Sequence, residues 1–136
     1  MTAIPNQKRT IQIKEEADIS VAIDAVLQLA FGMGMNKVNR TMLATSVSEL
    51  ATNIFRYADQ GYIDISFMEG EVHQGIKVIA RDEGPGIADI DLAMKDGFST
   101  TKSMGVGLPG VERMSDTFAI ESKLGQGTIV TVEKFL

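Results

Sequence analysis

The chain has no cysteine and no tryptophan, one histidine and three prolines, and only 6% of its residues are aromatic. Without cysteine it forms no disulfide and offers no thiolate to a metal. Its single histidine, His73, sits between Glu69 and Gly75 in a stretch with two glycines. That composition makes His73 a turn residue and leaves nucleophile triads and imidazole-based zinc sites without support. Positive charge is also scarce: 13 Lys and Arg against 18 Asp and Glu give a net charge of -5. Nucleic acid is therefore excluded as a partner class, because its binding needs clustered cations. No run approaches the ~20 apolar residues of a membrane span. Met1 to Lys8 lacks the apolar centre of a signal peptide. A cytoplasmic protein with no membrane partner is expected. Nothing in the 136 residues reads as a linker, repeat or low-complexity segment, so one domain over 1–136 is expected.

What is present is well patterned. Arg9 to Lys14 alternates, with Ile11 and Ile13 on one side, as a half-buried strand does. Asp18 is placed to cap a first helix carrying Ile19, Ile23, Val26, Leu27 and Ala30, and Gly32 and Gly34 stop it. A second, longer helix is predicted from about Asn36 to Tyr57, with Leu43, Val47, Leu50 and Ile54 in one apolar stripe. Ile63, Ile65 and Phe67 mark a second strand, and Ile76, Val78 and Ala80 a third, with a hairpin loop between them. Asp89 to Lys95 has the composition of a short helix, Gly97 to Gly110 that of a loop, and Leu108 to Asp116 helical spacing. Thr117 to Lys123 and Gly127 to Phe135 form a closing hairpin, with Phe118, Ile120, Ile129 and Val132 available to a core. The sum is an α+β fold, a two-layer sandwich in which a mostly antiparallel sheet is covered on one face by helices.

Four short patterns carry chemistry. Glu49 and Asn53 stand four residues apart and share a helix face, in a polar line with Ser46 and Arg56. Asp82-Glu83-Gly84-Pro85-Gly86-Ile87 bends sharply after the third strand and leaves a carboxylate at its end. Gly105-Val106-Gly107-Leu108-Pro109-Gly110 leads into a helix, whose free amides favour a phosphate chain. Gly125-Gln126-Gly127-Thr128 lies in the last hairpin. Each alone is an ordinary helix face or turn. A dinucleotide-binding reading of the glycine run fails, because it does not follow the first strand of a βαβ unit.

The ordered set, from Glu49 to Thr128, resembles the Bergerat-fold (GHKL) ATP-binding family that joins gyrase, Hsp90, histidine kinases and MutL. Within it the chain is similar to small serine/threonine kinases that act as anti-sigma or switch kinases, above all the RsbT-type stressosome kinases. This similarity rests also on Asp96-Gly97-Phe98-Ser99-Thr100. The resemblance implies ATP and Mg²⁺ as cofactors, with the amide oxygen of Asn53 on the metal and Glu49 orienting and deprotonating the acceptor hydroxyl. It places Asp82 on the adenine amino group, Gly84 and Gly86 beside the base, Gly105, Gly107 and Gly110 at the phosphates, and Thr128 near the adenine. Residues 97–104 correspond to an ATP lid, where Thr101 and Lys102 contact nucleotide. Pro109 departs from the general glycine pattern by removing an amide, which a first helical turn tolerates.

The implied function is phosphorylation of STAS-domain regulators in a stress-signalling complex, with contact to a PP2C-type phosphatase as a further output. The alternative is an anti-sigma factor that sequesters a sigma factor, with nucleotide as regulator. A histidine-kinase catalytic domain would need a helical hairpin bearing the acceptor histidine, and a gyrase- or Hsp90-type ATPase a transducer domain. Neither segment is seen in these 136 residues. The eight methionines read chiefly as flexible core filling, with an interface as the second reading.

Overall fold

A computed structural model describes residues 8–70, 72–87, 94 and 107–136. Five strands, β1 (Lys8–Ile13), β2 (Gly61–Glu69), β3 (Gln74–Asp82), β4 (Thr117–Lys123) and β5 (Gly127–Phe135), form one sheet in the order β1-β2-β3-β5-β4. Every neighbouring pair is antiparallel. Three helices, α1 (Ala17–Gly32), α2 (Lys37–Tyr57) and α3 (Gly107–Met114), pack on one face. The expected two-layer arrangement is the one observed. The short helix expected over Asp89 to Lys95 lies outside the described residues, apart from Met94 in a turn.

Strand periodicity decides which side chains meet the helices. Ile11, Ile63, Ala80, Val130 and Ile120 stand side by side across all five strands, and Ile65, Val78, Val132 and Phe118 form the next row. Above them lie Leu43, Val47, Leu50 and Ile54 of α2 and Val26 of α1, all buried. Burying each such side chain contributes about 1.5–3 kcal/mol. Met35 is also buried, and the half-buried Met42 accepts from the Lys134 ammonium at 3.4 Å through its thioether.

Two expectations are corrected. Asp18 does not cap α1: its Oδ2 accepts from the Lys14 and Glu15 amides at 2.9 and 2.8 Å, and Glu16 occupies the cap position. The carboxylate serves the turn out of β1, since the amides it reaches precede the helix. Ile129 is not core. It pairs with Arg81 and Glu121 on the open face and is 42% exposed, because its parity in β5 is opposite to that of Val130. At the α2 start the expectation holds, with Asn36 Oδ1 accepting from the Asn39 amide at 2.8 Å. His73 lies in the β2–β3 turn as expected, its ring stacked on Phe135 with centroids 4.1 Å apart.

Candidate functional site

The end of the sheet beneath the α2 C-terminus gathers the polar residues. There the helix-facing row reads Ile13, Gly61, Asp82, Thr128 and Ser122, one from each strand. A side chain at Gly61 would press on Ile54 of α2 and on Asp82, which places the last turns of α2 directly over this row. Asp82 Oδ1 accepts the Gly84 amide at 2.9 Å, and its other oxygen has no hydrogen-bond partner among the described residues. One carboxylate oxygen is thus held by its own loop while the second can accept from a ligand. Thr128 stands beside it in register.

Ser122, which sequence reasoning missed, closes the arrangement. Its hydroxyl accepts the Ile87 amide at 2.7 Å, lies 3.1 Å from the Gly127 carbonyl and 2.8 Å from the Thr128 hydroxyl. When Ser122 donates its single proton to Gly127, Thr128 must donate to Ser122, so the Thr128 oxygen faces the site as an acceptor. Only the register of β4 against β5 brings these groups together, and no local pattern around Ser122 announces it.

The glycines of the loop and the hairpin press on each other. Gly86 (φ 78) would drive a Cβ into the Lys123 carbonyl, and Gly127 (φ 112) into that of Asp82. The Gly125 amide also donates to the Pro85 carbonyl at 2.9 Å. The loop after β3 is therefore clamped to the β4–β5 turn, which fixes the Asp82 carboxylate.

On α2, which packs against α3, Glu49 and Asn53 are half-buried. Burial pushes the Glu49 carboxyl above its ordinary range, and the Arg56 charge offsets part of that rise. Ser46, one turn before Glu49, is buried with its Oγ unpartnered among the described residues. Asn53 likewise has no hydrogen-bond partner among them. A free carboxamide is a hard oxygen donor of the kind Mg²⁺ accepts alongside phosphate and water. Among the described residues no three His, Cys, Asp or Glu cluster as a cation cage, and a phosphate-bound Mg²⁺ needs none.

At the start of α3, Gly107 has φ 62 while Pro109 and Gly110 are buried, so the expected first-turn proline is accommodated. Thr101, Lys102 and Gly105, with the rest of the expected lid, lie outside the described residues. Asp82, Gly84, Gly86 and Thr128 come together at one end of the sheet beneath the last turn of α2, the helix that carries Asn53 next to Ile54 and Glu49 one turn earlier.

Residues 38–136 match the histidine kinase-, DNA gyrase B- and HSP90-like ATPase family. The serine/threonine-protein kinase RsbT of Bacillus subtilis (strain 168) is 40% identical over 131 residues, covering 96% of this chain and 98% of that one. An anti-sigma F factor of Geobacillus sp. (strain WCH70) is 31% identical over 105 residues, 71% of this chain and 69% of its own. A crystal structure of RsbU and RsbW domains from Mycobacterium tuberculosis superposes with a TM-score of 0.66 at 14% identity. The fold is shared over 96% of this chain, which spans 32% of that structure.

Proposed function

The chain belongs to the histidine kinase-, DNA gyrase B- and HSP90-like ATPase family, and from that premise we propose that it is a Mg-ATP-dependent serine/threonine kinase acting on STAS-domain regulators of a stress-signalling complex. The observation that carries this reading is the pairing on α2 of a half-buried, elevated carboxyl at Glu49 with a partner-free carboxamide at Asn53. The 40% identity to a serine/threonine-protein kinase over nearly the whole chain supports it.

In this reading the free Asp82 oxygen accepts the adenine amino group, with Thr128 beside it, while the Gly84 and Gly86 loop passes along the base. Backbone amides at the α3 start, with Gly105, Gly107 and Gly110, face the phosphates. Thr101 and Lys102 reach them from the lid. Asn53 would hold Mg²⁺, which supplies charge neutralisation at the transferring phosphoryl group. Glu49 orients the incoming serine or threonine hydroxyl and accepts its proton. Its elevated pKa suits a base that must bind a proton during the step. Contact with a PP2C-type phosphatase is the proposed second output.

The test is phosphoryl transfer from Mg-ATP to a STAS-domain acceptor, followed by mass spectrometry. Glu49→Ala should slow transfer by about 10²–10⁴-fold with nucleotide still bound. Asn53→Ala should lose Mg²⁺-dependent nucleotide affinity. No transfer by the native protein, or undiminished transfer by both variants, overturns the assignment. Recovery of a sigma factor as the stable partner, without transfer, would favour the alternative of an anti-sigma factor that works by sequestration.

A further inference from the structure

In the row under α2 the Ser122 hydroxyl touches three other groups, and its single proton decides what the row offers a ligand. The Ile87 amide can only donate, so at 2.7 Å it fills one lone pair of the Ser122 oxygen. The Gly127 carbonyl can only accept, and its 3.1 Å contact with that oxygen needs a proton in between. Ser122 alone has a proton to give there. The 2.8 Å contact with Thr128 must then use the Thr128 proton. In the opposite arrangement, with Ser122 donating to Thr128, the two oxygens of the Gly127 contact would meet with lone pairs only.

Having donated, Thr128 has only lone pairs left to present, and its hydroxyl makes no other hydrogen bond among the described residues. Asp82 stands beside it in register and adds a second acceptor, since the Gly84 amide engages only its Oδ1. Ile13 and Gly61, the remaining members of the row, have no polar side-chain atom. Among the described residues the side chains of the row therefore offer acceptors and no free donor. Ser122 supports both acceptors. It turns the Thr128 hydroxyl, and through the Ile87 amide it holds the far end of the loop that Asp82 opens.

We propose that Ser122 is a positioning residue for base selection: by fixing Thr128 as an acceptor beside Asp82, it makes the site take a purine with a 6-amino group and reject one with a 6-oxo group. The inference rests on the nucleotide reading given above and deepens it. A 6-amino group carries two protons for two acceptors. A 6-oxo purine has one proton at that edge, on the neighbouring ring nitrogen, so a carboxylate alone would accept it and discriminate poorly. Were Thr128 free to turn its proton outward, it would donate to the 6-oxo oxygen, and the site would hold either base. With the proton committed to Ser122, that oxygen meets a second acceptor instead, and the wrong base is excluded by lone-pair repulsion and a lost hydrogen bond.

The experiment measures equilibrium binding of Mg-ATP and of Mg-inosine triphosphate, its 6-oxo counterpart, to the native protein and to Ser122→Ala, Ser122→Thr and Thr128→Val. The native protein should prefer ATP by about tenfold or more. Ser122→Ala should lower that ratio several-fold, mainly by tightening inosine triphosphate, whereas Ser122→Thr keeps the hydroxyl and should restore the native ratio. Thr128→Val removes the second acceptor and should lower the ratio as well. Equal binding of both nucleotides by the native protein overturns the proposal. So does a Ser122→Ala variant that weakens both alike, which would leave Ser122 as a brace for the loop after β3. Should thermal melts show Ser122→Ala unfolded, Thr128→Val decides, and an unchanged ratio there overturns the proposal. A native protein that binds neither nucleotide overturns the nucleotide reading and this inference with it. No acceptor protein enters these measurements, so a failure of phosphoryl transfer with the ratios as expected counts against the kinase reading alone.

Discussion

Glu49 shows how one side chain carries opposing demands. Burial raises its pKa, so folding favours the protonated form. The stabilising contribution is present in acid and is lost as pH rises through the folded-state pKa, so at neutral pH the ionised carboxylate works against the fold. Glu49→Gln should therefore melt at the native temperature or above it at pH 7, while phosphoryl transfer falls to background. In the native enzyme the acid limb of the pH–rate profile should lie above the titration range of an exposed glutamate. A midpoint within that range, or a clear loss of stability in Glu49→Gln, would contradict the role. Ser46, one turn earlier, belongs to the same setting. The sequence placed it in the polar line with Glu49 and Asn53, but the structure buries it with its hydroxyl unpartnered.

At the scale of elements, the loop after β3 and the β4–β5 turn behave as one piece. Gly86, which the resemblance placed beside the base, meets protein backbone first, against Lys123, and Gly127 of the last hairpin meets Asp82. Gly127→Ala combines a positive φ with that contact and should cost about 1–3 kcal/mol. Because the contact is with the Asp82 carbonyl, nucleotide affinity should fall with it. Gly32→Ala is the control: nothing lies within 4 Å of its added methyl group, so the change should be neutral or stabilising by up to about 1 kcal/mol. Chemical denaturation and nucleotide titration of the two variants check both statements. Equal stabilities would show that the clamp is not tight.

For the molecule as a whole, the proposed site would link binding to folding through the row under α2. In the proposed site, nucleotide held by Asp82, Thr128 and Asn53 would bridge the sheet to the helix layer, so Mg-ATP should raise the unfolding free energy by about 2.7 kcal/mol at a hundredfold excess over Kd. Asp82→Asn should lose most of that increment, and thermal melts with and without Mg-ATP test it. An undiminished shift in the variant would remove Asp82 from adenine recognition. No helix among the described residues is long and apolar enough to cross a membrane, as the composition led one to expect. Local order was legible in the chain itself: alternation marked the strands, the Leu43 to Ile54 stripe marked α2, and the succession of four motifs marked the family. These signals depend on residues a few positions apart, whose spacing alone sets the face they occupy. Partnerships across strands were not legible, because period two names two faces without saying which neighbour stands opposite. Ser122 beside Thr128, Arg81 locked to Asp64, and Ile129 turned to the open face all follow from strand register, which the folded sheet alone decides.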